Sequence, residues 1–412
     1  MANKLNLTRS FELYEQAQQV IPGAILGIRR PYNFVEGEYP IFFDHAKGGR
    51  VVDVDGNEYV DMLCAYGPII IGHQEDEIDQ AAYQQISTKG FCMSLTQEVQ
   101  NRLARKMVEL IPCCEKVVFV KTGSDATTCA VRVARGFTEK KHILRCGYHG
   151  WHDWCVEVKG GIPEKLYEDV HEFRYNDLEG IKQLLEKFQG DVAGIIMTPL
   201  GHPLAAPVEM PKPGFLEEVR KLCNQHETVL IFDEIRTGFR LNIGGGQSEF
   251  GVTPDLAVFG KAMGNGYPVG AVTGKAEIMD VLKSKVFLSS TFFPNSDALV
   301  AALKTIEIME RDDVLGVIRK KGEQLGQQLT KIIDQSGIDC SLSGAPWMPF
   351  ISFHKDKERK YKEHRTKFYT GVIRRKVFLQ PFHHGYIAYR HTDQDLAQAA
   401  DAIKESLAEL ER

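Results

Sequence analysis

A chain of 412 residues exceeds the usual single domain, so two domains, one large and one small, are expected. With 43% apolar and 25% charged residues it is neither disordered nor collagen-like, and its net charge of −5 gives no electrostatic footprint for nucleic acid or an anionic membrane. The cysteines, scattered from Cys64 to Cys340 without a C-x-x-C pair, argue against a disulfide framework or a zinc site.

The first 20 residues pattern as a polar helix without the apolar core of a signal peptide, and no apolar run reaches membrane-spanning length. A soluble, cytoplasmic protein with no membrane partner is therefore expected. After the break at Ile21-Pro22-Gly23, the loop residues Arg29 and Arg30 serve either solubility or carboxylate recognition, for which the planar guanidinium fork is suited. Residues 49–63 alternate around Asp55-Gly56 and predict a hairpin. Their D-x-D-x-N spacing fails as a calcium loop, since position six would be Glu58 and position twelve Cys64.

A helix is predicted over 98–110, followed by a buried strand at 116–120. The small-residue turn Lys121–Thr127 then opens another helix. Strand, Gly-Ser turn and helix N-terminus make a phosphate seat, because free N–H groups and the positive dipole end point at one place. The same residues also fit a plain N-cap at Thr122 or Ser124, and both readings can hold. The strand at 142–146 leads into Gly147-Tyr148-His149-Gly150-Trp151-His152, where aromatics either stack on a planar ligand or pack on the core. The histidine pair lacks a carboxylate motif, so no metal is expected. A strand at 193–197 and a helix carrying Phe215, Leu216, Val219, Leu222 and Cys223 continue the βαβ pattern of a parallel sheet.

Two further apolar runs end in ionisable residues, Val229–Phe232 at Asp233 and Leu256–Gly260 at Lys261. Ligands of parallel sheets sit outside the carboxyl ends of the strands, so both charges are expected in one crevice. A cofactor with a protonated ring nitrogen and an aldehyde needs that pair, and pyridoxal phosphate is such a cofactor. Taken singly, each residue is better read as an exposed strand-end acid or an unrelated surface lysine. Beyond Gly266, helices near 296–311 and 315–335, strands near 349–354 and 377–380, and a terminal helix from Asp393 read as a smaller α+β domain.

From Ile21-Pro22-Gly23 through GGRVVDVDGNEYVDM, GPIIIGH, FDEIRTGF and FGKAMGNGYPVGA to His391-Thr392-Asp393, the chain resembles the class III aminotransferases, in their glutamate-1-semialdehyde aminomutase-like branch. The resemblance implies the α/β fold type I of pyridoxal 5′-phosphate-dependent transferases: a large domain with a mostly parallel seven-stranded sheet, plus a smaller α+β domain. Residues 1–50 would be an N-terminal segment contributing to the small domain and active site, 51–300 the large cofactor-binding domain and 301–412 the small domain. Lys261 matches the Schiff-base lysine, Asp233 the carboxylate on the pyridine nitrogen, Ile235 and Tyr148 the groups on the two ring faces, and Gly123 and Ser124 the phosphate seat. Thr291 matches a residue donated to the phosphate of the neighbouring subunit, which implies a homodimer with shared sites.

Departures from the aminomutase cluster around the expected substrate pocket. Arg30 aligns with its substrate-carboxylate arginine, His383 or His384 replaces a glutamate, Thr198 stands where many relatives carry a glutamate, and Arg236 fills a place often held by Met or Gln. Arg30, Tyr66, Arg236, His383 and His384 are therefore the candidate substrate residues. The expectation is a ping-pong aminotransferase for an amine or aldehyde away from an α-carboxylate, an amino sugar among the options, with small-molecule amine and carbonyl substrates. An aminomutase, which is an isomerase, and an epimerase are the alternatives using the same cofactor. A catalytically silent binding protein is the non-enzyme alternative, disfavoured because it has no reason to keep both Lys261 and Asp233.

Overall fold

The structure, a computed structural model, describes residues 2–201 and 207–410. Two compact units are formed, one chiefly of Met1–Glu75 and Gly316–Arg412, the other of Asp76–Pro203 and Glu209–Leu315.

The first unit begins with the helix Thr8–Gln18. Strands β1 (Phe43–Lys47), β2 (Arg50–Asp53) and β3 (Glu58–Asp61) follow as an antiparallel meander. The expected hairpin is present. Asp53 closes its turn by accepting from the N–H groups of Asp55 and Asn57, and the Asp55 carboxylate accepts from the N–H groups of Arg9 and Ser10 at the start of the helix. Turn and cap thus share one pair of carboxylates.

The second unit holds the large sheet: β4 (Lys116–Val120), β5 (His142–Cys146), β6 (Val170–Glu172), β7 (Val192–Met197), β8 (Val229–Asp233), β9 (Leu256–Phe259) and β10 (Gly270–Gly274). The spatial order is β4-β10-β9-β8-β7-β5-β6, and only β10 runs antiparallel to its neighbours. Every residue of β7, β8 and β9 is buried, the reason their apolar runs show no alternation. The helix Gly123–Thr138 contributes Ala126, Ala130, Val133 and Ala134 to the same core as Ile196, Ile231 and Val258. Its small residues bring the helix close to the strands.

The remaining strands, β11 (Cys340–Ser343), β12 (Phe350–Phe353) and β13 (Val377–Phe378), belong to the first unit. β13 pairs in parallel with β3, next to a cluster of Tyr39, Val51, Tyr59, Leu63, Ile373 and Phe378. That pairing draws residues 51–75 into the first unit, and the helix Ser296–Arg311 packs with the second. The observed bounds near 75 and 315 consequently differ from the expected 50 and 300. No helix among the described residues is long and apolar enough to cross a membrane.

Candidate active site

At the carboxyl end of β8 two consecutive carboxylates do different work. The Asp233 Oδ2 atom accepts from His149 Nδ1 at 2.7 Å, and Oδ1 accepts from the Ile235 N–H at 3.1 Å. Glu234 turns away and is fully buried. It accepts from the N–H of Gly246 at 2.8 Å, the N–H of Gln247 at 3.0 Å and the Thr237 hydroxyl, which pins the glycine-rich segment after β8. Burial pushes the Glu234 carboxyl above its ordinary value, against the pull of those donors.

Beside β8, β9 ends at Gly260, and Lys261 opens a short turn with φ +45°, a left-handed conformation that costs a side-chain-bearing residue about 1–3 kcal/mol. Burial pulls the Lys261 amine down to about 7; the Arg236 and Arg240 guanidiniums add to the shift and Asp233 opposes it. Near neutral pH a substantial share of this amine is therefore unprotonated, the state a nucleophile or base requires.

Ile235 lies between the other parts. A Cβ on Gly123 would stand 3.2 Å from the Ile235 side chain, and one on Gly260 would stand equally close. The absence of both Cβ atoms lets the helix N-terminus, the β8 exit and the residue before Lys261 converge. Thr122 caps that helix through a reciprocal box with Asp125. Ser124 is buried, and its Oγ accepts from the Trp151 N–H at 3.2 Å. Tyr148 is 41% exposed, and its hydroxyl is raised above its ordinary range by burial, with Cys155 adding and Arg236 opposing.

Thr291 is exposed and lines a groove of about 710 Å³ with Cys92, Met93, Phe119, Phe293 and Pro294. Gly123, Ser124, Tyr148, Asp233, Ile235, Arg236, Lys261 and Thr291 all belong to the second unit, and Arg30, Tyr66, His383 and His384 to the first.

In the first unit, Tyr66 packs edge-on against His383 with centroids 5.2 Å apart, His383 stacks on His384 at 4.5 Å, and His384 meets Tyr386 at 4.6 Å. The Tyr66 hydroxyl donates to the Ile28 carbonyl and is pushed up to about 12 by burial, with the Arg29 guanidinium pulling against it. It is Arg29 that lies over the Tyr66 ring, at 5.5 Å; Arg30 folds back, donating from Nε to the Ile25 carbonyl at 3.0 Å. Cys64, Ala65, Tyr66 and Gly67 all have positive φ. Asp61 holds this turn by accepting from the N–H groups of Leu63 and Cys64, and a Cβ on Gly67 would lie 2.7 Å from the Tyr386 ring.

An ionisable amine, a strand-end carboxylate and a helix N-terminus gathered around one isoleucine form a constellation for a phosphorylated, aldehyde-bearing ring. The chain belongs to the class III aminotransferases: the pattern of that family, Aminotransferase class-III, matches residues 32–407. It is a pyridoxal-phosphate-dependent enzyme of fold type I. Among individual proteins, it is 65% identical over 412 residues to a 3-aminobutyryl-CoA aminotransferase of Cloacimonas acidaminovorans, covering 100% of both chains. It is 32% identical over 432 residues to a glutamate-1-semialdehyde 2,1-aminomutase of Methanosarcina acetivorans, covering 99% of this chain and 100% of the relative. The PLP internal aldimine form of Sphingopyxis sp. MTA144 FumI protein superposes with a TM-score of 0.94 at 28% identity, covering 98% of this chain and 97% of that one.

The residues present fit the cofactor. Asp233 is an oriented carboxylate, the amine of Lys261 is depressed, and the missing Cβ at Gly123 lets Ile235 approach the helix N-terminus closely. The sequence reading missed one member, His149, whose bond to Asp233 spans 84 residues. Its signal was its place at a strand exit beside Tyr148.

Proposed function

We propose that this aminotransferase takes its amino group from an amine one carbon removed from an acyl thioester, the 3-aminobutyryl-CoA class, and releases the corresponding 3-oxoacyl thioester. The observation that carries this reading is the 65% identity, over the whole of both chains, to a 3-aminobutyryl-CoA aminotransferase. It agrees with the departures from the aminomutase pattern at Arg236, His383 and His384.

When bound, pyridoxal 5′-phosphate supplies an aldehyde for amine exchange and a ring that accepts the electron pair of the broken C–H bond. Lys261 Nζ would hold the cofactor and serve as the base that takes the proton from the carbon bearing the substrate amine. Asp233 would keep a proton on the ring nitrogen, Ile235 and Tyr148 would flank the ring, and Gly123 and Ser124 would hold the phosphate at the helix N-terminus. Arg236 helps keep Lys261 Nζ depressed. Arg30, Tyr66, His383 and His384 are assigned to the substrate.

The enzyme acts as a cytoplasmic homodimer in which Thr291 reaches the partner's phosphate. Exposed Met93, Leu95, Phe287 and Phe292, on the segments bordering the Thr291 groove, support that assembly. Sedimentation equilibrium of the holoenzyme tests it, with a monomer at micromolar concentration as the contrary result.

The substrate reading is tested by mixing holoenzyme with 3-aminobutyryl-CoA and no acceptor. One equivalent of 3-oxobutyryl-CoA per site, with loss of the visible cofactor band, is expected. No ketone from the thioester would defeat it. The aminomutase reading is supported by the full-length match to the Methanosarcina acetivorans protein, and it predicts isomerisation of an amino aldehyde without a second substrate.

A further inference from the structure

The chain leaves β5 around a buried guanidinium. Arg145, next to last in that strand, is 3% exposed, and a cation so enclosed requires partners. Its Nη1 donates to the Cys155 carbonyl at 2.9 Å and to the Gly147 carbonyl at 3.3 Å. Its Nη2 donates to Glu157 Oε1 at 3.1 Å and to the Glu172 carboxylate, which stands opposite Arg145 in the register of β5 with β6. Both glutamates are exposed, so only the arginine side of each ion pair is taken out of water. No residue of this cluster has a part in the roles assigned above.

These bonds close a loop. Gly147 and Cys155 bracket the segment that carries Tyr148, and a single nitrogen holds the carbonyls of both, so the two ends of the segment are fixed at one point. Gly147 has φ +102°, so the chain turns sharply there, and the direction in which Tyr148 leaves follows from how that glycine is held. From the other side the segment is tied to the helix Gly123–Thr138. The His149 carbonyl accepts from the Thr127 hydroxyl at 2.6 Å, the Trp151 N–H donates to Ser124 Oγ at 3.2 Å, and the Trp154 indole donates to Thr128 Oγ1 at 2.8 Å. Arg145 is the matching hold from the sheet. A planar guanidinium fork can serve two carbonyls and two carboxylates together, which the compact ammonium of a lysine cannot.

We infer that Arg145 is a positioning residue: by joining the carbonyls at both ends of the segment 147–155, it holds Tyr148 against the face of the cofactor ring. The inference rests on the ring-packing role proposed for Tyr148. A double-mutant cycle of Arg145→Met and Tyr148→Ala tests it, read as the affinity of the full-length, cofactor-free protein for pyridoxal 5′-phosphate at a temperature where all four proteins are folded. Each single variant should lose about 3- to 10-fold in affinity, the worth of an aromatic stacking contact, and the double variant should lose no more than Tyr148→Ala alone. A residue that only stabilises the fold would lower the melting temperature and leave affinity unchanged, or add its loss in full to that of Tyr148→Ala; either result overturns the inference. If Arg145→Met does not fold, Arg145→Lys carries the same cycle, because an ammonium still pairs with the glutamates but does not span both carbonyls. Unchanged affinity in Tyr148→Ala by itself would remove the ring-packing role of Tyr148 and the inference with it, an outcome told apart from the failure of Arg145 by that single variant.

Discussion

Asp233 and Lys261 stand at the ends of strands whose every side chain is buried, whereas Tyr66 sits in a turn bent through four consecutive positive-φ residues with His383 packed edge-on against it and His384 stacked on His383. The first group consists of ionisable residues placed by buried strands, hydrogen bonds to the carboxylate and close-packed glycines. The second is a wall of imidazole and phenol edges on loops, where exchanging one ring for another leaves the sheet untouched. On the proposed roles, chemistry common to a family needs the first kind of construction, and discrimination between substrates would be changed through the second.

Substitutions in the two groups should therefore fail differently. Lys261→Met should lower the rate of ketone formation by about 10²- to 10⁴-fold or more while leaving the circular dichroism unchanged, since it removes the proposed base but little packing. Measurable turnover at near wild-type rate would dissolve the distinction at once. His384→Leu should cost about 10-fold in kcat/KM for the thioester amine, with cofactor affinity unaltered. If cofactor affinity falls instead, the ring wall is not a substrate surface.

Arg236→Met should move the Lys261 amine upward from about 7, because it removes the cation that opposes protonation most. The midpoint of lysine acylation against pH in cofactor-free protein reports this, and an unmoved midpoint would make Arg236 structural. A further effect is on stability. Folding holds Lys261 at about 7, whereas the unfolded chain keeps a lysine protonated to about 10.4. Between these values the unfolded state binds the extra proton, so this lysine's contribution rises with pH across the window and is unfavourable below about 7. Relative to Lys261→Met, wild-type protein without cofactor should gain melting temperature from pH 7 to 10, and a flat difference would contradict the depressed amine.

How much of this was legible in the sequence depended on distance along the chain. The runs of β7, β8 and β9 announced themselves because burial on both faces removes polar residues, and the Thr122 cap and Asp55-Gly56 turn are written within a few residues. β6 and β10 escaped the residue-level reading. β6 is three residues joined to β5 through the backbone, and β10, Gly270–Gly274, carries glycine at both ends instead of an apolar run. The pairing of His149 with Asp233 and the placing of Arg29, not Arg30, over Tyr66 depend on contacts that no local pattern encodes. The assignment of residues 51–75 failed to show for the same reason, since β13 joins β3 from more than 300 residues away.

Asp233 and Glu234 are chemically near-identical neighbours with different surroundings, one bonded to His149 and proposed to face the cofactor, the other sealed under a glycine loop. Successive side chains leave a strand on opposite sides, so a slip of one residue in β8 would interchange them. It would present the ligand with the wrong acid and leave the loop without its anchor. On the proposed roles, tight cofactor uptake would thus depend on strand register, since it would require β8 to pair with its neighbours in the right frame.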